Sequence, residues 1–221
     1  RKAPGMIRIS GCVNSQKTHM MYALGDGFRY RAIACSSESK ARQVYEEYRF
    51  LDGAVFLYPA KDLLFFQADI RSRELVKQRM EVLQAAEGEN FTVVTSFDGF
   101  MDSLIPKEEI RKRAVHILGT GSLDMKEMEE RLAGMGYDRE VQVDAPGQFA
   151  VRGGILDIYP LTEELPVRIE LWGDEVDSIR TFDVETQRSI ENLEDILVYP
   201  ATEFPEENGK RVSFLDYFPV E

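Results

Sequence analysis

The chain has 221 residues, of which 43% are hydrophobic and 30% are charged, and its formal net charge is −12. This length holds one large domain or two small ones, and no apolar run approaches the roughly 18 residues that a membrane span needs. Two cysteines exclude a disulfide framework, two distant histidines do not suit a metal site, and no signal peptide opens the sequence, so we expect a cytoplasmic monomer without metal ions or other cofactors.

Strands alternate with helices in the first half of the sequence. Predicted strands cover residues 6–10, 31–35, 54–58 and 91–95, and predicted helices cover residues 17–24, 38–49, 72–86 and 97–101. Ser37 is the expected N-cap of the second helix, and Leu75, Met80 and Leu83 are expected to face the core from the third. Such alternation predicts an α/β domain with a parallel sheet and right-handed crossovers.

The pattern changes after Pro106. A strand is predicted from residue 113, a helix over residues 124–133, and then consecutive strands to about residue 198, with turns at Gly153-Gly154 and Gly173-Asp174. This order predicts an α+β unit with a mainly antiparallel sheet. We therefore predict a first domain over residues 1–105, an inserted second domain over residues 106–200, and a segment over residues 201–221 that returns to the first domain.

A damaged phosphate-binding loop follows the first predicted strand. The residues from Gly11 to Thr18 have the spacing G-x-x-x-x-G-K-[ST], but Gln16 stands where the second glycine belongs. That glycine lets backbone amides approach the phosphates, so its loss weakens any anion site that Lys17 and Thr18 still form. No acidic pair for magnesium follows an apolar strand. We expect no enzymatic activity; the alternative is a weak ATP-binding fragment of a DNA helicase, with Lys17 on phosphate and Thr18 on magnesium.

Arginine and tryptophan interrupt two alternating segments, residues 148–160 and 166–183. Arg152 lies at a glycine-flanked strand break, and Arg168 and Trp172, four residues apart, lie on one strand face. We interpret these three residues as one exposed patch that binds another protein. The alternative is that Arg152 pairs with an internal acid and Trp172 is core. Asp157 and Glu170 are interpreted as solvent-face acids on adjacent strands rather than as a catalytic pair.

The charge distribution bears on the kind of partner. Residues 1–105 carry 14 Lys and Arg against 13 Asp and Glu, whereas residues 106–221 carry 13 against 26. The acid excess therefore falls in the half that contains the arginines and the tryptophan. A strongly negative domain repels a phosphate backbone, so we expect a protein partner and feeble binding to duplex DNA.

Three segments carry a family resemblance: residues 147–160 (GQFAVRGGILDIYP), 164–183 (ELPVRIELWGDEVDSIRTFD) and 185–189 (ETQRS). They resemble the bacterial transcription-repair coupling factors, whose amino-terminal module is itself similar to UvrB, the damage-recognition subunit of the excision nuclease. The ending ETQRS resembles the coupling factors rather than UvrB. The resemblance also runs through residues 6–105, including YPA at 58–60 and TSFD at 95–98.

The resemblance implies a function. In the coupling factors the first domain is a degenerate relative of a helicase motor domain and not an ATPase, and the second domain recruits UvrA, the excinuclease A subunit, by mimicking UvrB. Matched position by position, the UvrA contacts fall on Arg152, Arg168 and Trp172. UvrB itself carries an intact phosphate loop and a tyrosine-rich hairpin that clamps DNA, and this sequence has neither.

The resemblance also implies that the whole family protein has domains and activities beyond those of this sequence. It is an ATP-dependent DNA translocase that binds RNA polymerase and duplex DNA through domains absent here, and its carboxy-terminal domain covers the UvrA-binding face until the motor engages. The sequence departs from the family pattern after Phe204, where a long helical stretch is expected before a segment such as FLDYFP at residues 214–219. We therefore interpret the sequence as a fragment.

Overall fold

The computed structural model of the protein describes residues 6, 8–13, 15–61, 69–86, 88, 90–203 and 211–218, and of residues 69–72 it describes the backbone alone. Residues 204–210, on which the predicted departure from the family pattern falls, lie outside the described residues. Within the described ranges, no helix is both long and apolar enough to cross a membrane.

The first half alternates helices and strands as predicted. The elements are α1 (Gln16–Gly25), β1 (Tyr30–Cys35), α2 (Glu38–Tyr48), β2 (Val55–Tyr58), α3 (Asp69–Ala85), β3 (Phe91–Ser96) and the short α4 (Phe97–Phe100). The three strands form a parallel sheet in the order β1-β3-β2. Ser37 caps α2 by accepting a hydrogen bond from the backbone N–H of Lys40 at 3.3 Å. The predicted parallel α/β arrangement is therefore confirmed.

Helices cover both faces of this parallel sheet. On one face Val44 and Tyr48 of α2 pack with Leu57 and Val94. The opposite face packs against α3, where Leu75, Met80 and Leu83 are buried as predicted. The predicted strand over residues 6–10 is wrong, because the described residues 6 and 8–10 are not in a strand. A segment forms a strand only where a neighbouring strand accepts its hydrogen bonds. Among the described strands β1 pairs with β3 alone, so residues 8–10 do not extend this sheet beyond β1.

The second half is built around an antiparallel sheet. Its elements are β4 (Ser103–Leu104), α5 (Lys107–Arg113), β5 (Val115–Leu118), α6 (Met125–Gly134), β6 (Asp138–Arg139), β7 (Gln148–Arg152), β8 (Ile155–Tyr159), β9 (Val167–Trp172), β10 (Glu175–Phe182), β11 (Ser189–Leu193), β12 (Asp195–Val198), β13 (Val212–Ser213) and a 3₁₀ helix (Phe214–Tyr217). The six strands β11-β10-β9-β8-β7-β6 lie side by side, and only β6 and β7 run parallel. The mainly antiparallel α+β unit is as predicted, whereas α5 was not predicted.

The two faces of the six-stranded sheet differ. One face packs Ile158 and Ile169 against Leu132 and Met135 at the end of α6, together with the β5–β12 pair. The other face, here called the arginine face, carries Arg152, Asp157, Arg168 and Trp172, because cross-strand partners in an antiparallel sheet point to the same side. The core therefore lies on one side, and the predicted site lies on the side that no helix covers among the described elements.

Arg79 of α3 connects the two halves. Its side chain is fully buried and donates to the Pro59 carbonyl and to Asp102, both at 2.6 Å, and to Glu203, which follows β12. Burial lowers the pKa of Arg79, but Tyr58, Glu203 and Asp102 raise it by more, so the net pKa lies above the ordinary value and the group is charged.

Candidate partner-binding site

Two hairpins place Arg152 and Trp172 at one end of the arginine face, whereas Arg168 is the second residue of β9. The β7–β8 hairpin turns at Gly153-Gly154 and the β9–β10 hairpin turns at Gly173-Asp174, each directly after a predicted site residue. Gly153 and Gly173 have φ of +62° and +64°, which glycine adopts without strain. The Leu171 N–H donates to the Gly154 carbonyl at 2.8 Å, so the two turns lie at the same end of the sheet.

A buried carboxylate lies between the two arginines. Asp157 of β8 is fully buried and faces Arg168 of β9 in the strand register. Arg168 donates to both carboxylate oxygens, from Nε at 2.7 Å and from Nη2 at 2.9 Å. Arg152 donates from Nη2 to Asp157 Oδ2 at 2.6 Å. Charge-assisted and bidentate hydrogen bonds of this kind compensate for the removal of the carboxylate from water.

Further contacts fix Arg168 on the sheet. Its Nη2 also donates to Gln187 Oε1 at 2.8 Å, and its guanidinium lies over the ring of Phe182, 4.4 Å from the ring centroid. The hydrogen bond to Asp157 is the largest cause of a raised pKa for Arg168. The Arg168 side chain keeps only 14% of its surface exposed. Arg168 is therefore held by the sheet rather than projecting into solvent.

Trp172 and Arg152 differ from Arg168 in exposure. Trp172 is 84% exposed, and the Arg152 side chain is 41% exposed. Within the described residues, no hydrogen bond forms from Nε or Nη1 of Arg152. This face thus presents a large apolar ring and free guanidinium donors to solvent.

The sequence interpretation needs three corrections. The expectation that all three residues are exposed is wrong for Arg168, because Asp157, Gln187 and Phe182 cover it. Asp157 is not a solvent-face acid, since the arginines above it exclude water. In the alternative interpretation, the internal acid for Arg152 is present, but a core position for Trp172 is wrong.

The sequence interpretation missed Gln187 and Phe182. Gln187 is the non-glycine residue with positive φ among the described residues, at +59°. Asp183 accepts from the backbone N–H and the hydroxyl of Thr186, which closes the turn before Gln187. The segment D-x-x-T-Q could have indicated this turn, because aspartate commonly accepts from the backbone in such turns.

The predicted phosphate loop lies elsewhere, beside α1. Gly11 has φ of +88°, Gln16 begins α1 and accepts from the Val13 N–H at 3.3 Å, and Lys17 is exposed. The hydroxyl of Thr18 is directed to a carboxylate, since it donates to Glu47 at 2.6 Å.

Gly11, Lys17 and Thr18 line part of a cavity of about 490 Å³, and Gln16 is not among its lining residues. The hydroxyl that would meet magnesium therefore bonds to a carboxylate of α2, and the degenerate phosphate loop and the nucleotide-binding alternative stay predictions.

Comparison with known proteins places the site in a family context. Residues 115–204 match the UvrB interaction domain, and this range contains the whole arginine face described above. The chain is 38% identical over 169 residues, 75% of its length, to the transcription-repair-coupling factor of Bacillus subtilis. This chain is a relative of the transcription-repair-coupling factors.

Two further coupling factors show similar identity. The one from Staphylococcus epidermidis is 38% identical over 154 residues (69% of the chain), and the one from Staphylococcus aureus strain Mu50 is 35% identical over 158 residues (71%). The predicted resemblance to the coupling factors is confirmed. The matched part is 14% of the Bacillus coupling factor and 13% of each Staphylococcus one, so the chain spans about one seventh of the length of these relatives.

Proposed function

We propose that the chain is a non-catalytic adaptor module of transcription-coupled excision repair, and that its UvrB interaction domain recruits UvrA by presenting the face that UvrB presents. Support comes from the match of residues 115–204 to the UvrB interaction domain and from the similarity to transcription-repair-coupling factors. In this proposal Arg152, Arg168 and Trp172 form the contact face. Binding to RNA polymerase and duplex DNA, and translocation on DNA, belong to parts of the whole family protein outside this chain.

The exposed ring of Trp172 is the observation that carries the proposal. Trp172 keeps 84% of its surface in solvent, so its ring contributes little burial energy to folding. Burial of such a ring on association stabilises a complex substantially. Arg152 lies at the same end of the sheet with free donors. Tryptophan beside arginine is a combination typical of interface hot spots.

The charge of the domain favours a protein partner over DNA. Residues 106–221 have twice as many acidic as basic residues, 26 against 13. The half of the chain that carries these arginines is therefore strongly negative, which repels a polyphosphate but does not prevent a hydrogen bond to a single partner carboxylate.

Titration calorimetry with purified UvrA tests the proposal. We expect Trp172→Ala and Arg152→Ala each to lose about 2 kcal/mol of binding free energy, roughly thirtyfold in affinity, with little change in melting temperature. Phe50→Ala and Arg49→Ala are matched controls, because Phe50 is 86% exposed and the Arg49 side chain is 54% exposed in the first half of the chain. Unchanged affinity in both site variants, or no binding by the wild-type chain, contradicts the proposal.

A further inference from the structure

The two arginines on Asp157 are held unequally. Arg168 donates three hydrogen bonds, two to Asp157 and one to Gln187, and its flat face lies on Phe182. Arg152 donates one hydrogen bond, to the same carboxylate. A guanidinium carries five N–H donors, so Arg152 keeps most of its donors for another molecule, whereas Arg168 has spent its Nε and Nη2 groups within the sheet.

The turn that contains Gln187 orients its side-chain oxygen so that it accepts a hydrogen bond from Arg168. Its own amide nitrogen donates to the Val184 carbonyl at 2.8 Å, which orients Oε1 toward the guanidinium. The backbone is held at φ of +59° because Asp183 bonds to Thr186 through its side chain and accepts from the Gln187 N–H at 2.8 Å. A glutamine in the left-handed region is uncommon, and such residues persist where surrounding contacts determine them.

We propose that Asp157 and Gln187 are positioning residues of the arginine face, which hold Arg168 flat against the sheet and leave Arg152 as the guanidinium that offers free donors to the partner. This inference rests on the proposed function and specifies the partner's chemistry. Two guanidiniums and one carboxylate leave a single net positive charge at the site. The matching surface on UvrA is therefore one carboxylate for Arg152 beside an apolar recess for Trp172, rather than a pair of carboxylates for two free arginines.

Arg168 also supports its neighbour in this arrangement. Arg168 forms two of the three arginine hydrogen bonds to Asp157 and so neutralises much of its charge. The carboxylate then binds Arg152 through one donor only, and the other donors of Arg152 stay exposed. The position of Arg168 itself depends on Gln187, because the second acceptor on Nη2 restricts rotation of the guanidinium in its plane. Loss of the Gln187 oxygen should therefore weaken partner binding without exposing any apolar core.

Two substitutions at position 187 separate positioning from stability. Gln187→Asn keeps a residue that tolerates positive φ but shortens the side chain, so the bond to Arg168 is lost. Gln187→Glu keeps an oxygen acceptor for Arg168 at the original reach, but it loses the hydrogen bond to the Val184 carbonyl and adds a negative charge, so it serves as the control for the NMR signal and not for affinity. Ser189→Ala is the control, since Ser189 is exposed two residues further along the chain. Each variant is titrated with UvrA by calorimetry, and the side-chain N–H signals of Arg168 are followed by nitrogen-15 NMR in the chain alone.

We expect Gln187→Asn to weaken UvrA binding about fivefold, which corresponds to about 1 kcal/mol, while Ser189→Ala is unchanged. The slowly exchanging Nη2 signal of Arg168 should be lost in Gln187→Asn and retained in Gln187→Glu. Melting temperatures should match wild type in all three variants.

Three results would overturn the inference: wild-type affinity for Gln187→Asn, a retained Nη2 signal in that variant, or a fall in its melting temperature that accounts for the lost affinity. The NMR result stands without UvrA, so it decides the positioning role even if the chain does not bind UvrA. Loss of affinity in Trp172→Ala but not in Gln187→Asn would overturn this inference and leave the proposed function intact.

Discussion

Arg79 and Asp157 are both fully buried charged groups, and both are held by two side chains of opposite charge. Around Arg79 the partners are themselves covered, since the side chains of Asp102 and Glu203 are 17% and 10% exposed. Around Asp157 one partner remains open to solvent, because the Arg152 side chain is 41% exposed. The first cluster is closed on all sides, whereas the second has an open side.

The difference separates a structural role from recognition. The Arg79 cluster joins α3 to the segment after α4 and to Glu203 after β12, and it adds the Pro59 carbonyl and the Tyr58 ring, 4.3 Å from the guanidinium. Each nitrogen of the Arg79 guanidinium therefore donates to at least one acceptor within the chain. The Asp157 cluster leaves donors of Arg152 without a partner among the described residues. Unused donors beside an exposed tryptophan are what a binding surface requires, and a closed cluster lacks them.

The largest expected effect follows from the closed cluster. Arg79→Ala should lower the free energy of unfolding by about 3–5 kcal/mol, because two covered carboxylates and a buried carbonyl lose their donor at once. Urea denaturation measures the change. Arg49→Ala, which removes an exposed pair with Glu46, should cost less than about 1 kcal/mol.

A loss as small as that of Arg49→Ala would show that the Arg79 cluster does not hold the two halves together. If Arg79→Ala fails to fold, Arg79→Lys replaces it. Lysine keeps the charge but cannot bond Glu203 through two nitrogens, so an intermediate loss is expected.

The open cluster should respond unequally to loss of its two arginines. Arg168→Ala should destabilise the protein by about 1–3 kcal/mol, since it removes two of the three hydrogen bonds from Arg side chains to Asp157 and uncovers Phe182. Arg152→Ala removes one bond from a half-exposed side chain and should cost about 1 kcal/mol or less. Thermal and urea unfolding of both variants measure the difference. Equal losses would contradict the distinction between a positioned and a presented arginine.

Much of the fold could be predicted from local sequence patterns. Short apolar segments between helices predicted β1 to β3, and alternating residues predicted strands of the second sheet. Ser37 indicated the start of α2, and Gly153 and Gly173 indicated two hairpin turns. Each of these signals acts within a few residues. The strand over residues 6–10 failed because a strand depends on a neighbour that the local pattern cannot show. The short helix α5 was missed because seven residues give little periodicity.

Only part of the candidate site could be predicted from the sequence. A period of two places Arg168 and Trp172 on one face, and this holds in the structure. Burial of Asp157 depends on arginines from two other strands, so it requires the register of β7, β8 and β9. The contribution of Gln187 requires the position of a turn after β10 against the start of β9. Both are tertiary facts that no single segment of sequence contains.

The smallest effect concerns Glu81, a half-buried carboxylate with a poor partner. Burial raises the pKa of Glu81 on α3, Lys77 at 3.9 Å lowers it by less, and Glu74 raises it further. The folded protein therefore binds this proton more tightly than the unfolded chain. Stability is highest with Glu81 protonated and falls as the pH rises through the interval between its unfolded and folded pKa values, so at neutral pH the carboxylate destabilises the fold.

Glu81→Gln should consequently stabilise the protein at pH 7, by less than about 1 kcal/mol because the side chain is 32% exposed, and the gain should disappear below about pH 4. Melting temperatures at the two pH values measure it. Glu109→Gln on α5 is the matched control with the opposite sign, because Lys112 lowers the pKa of Glu109 through a hydrogen bond of 2.7 Å. A lower melting temperature for Glu81→Gln at pH 7 would mean that pairing with Lys77 outweighs burial. One distant partner would then be enough to compensate for the desolvation of a half-buried charge. Desolvation alone would no longer explain why Arg79 and Asp157 each have two partners of opposite charge.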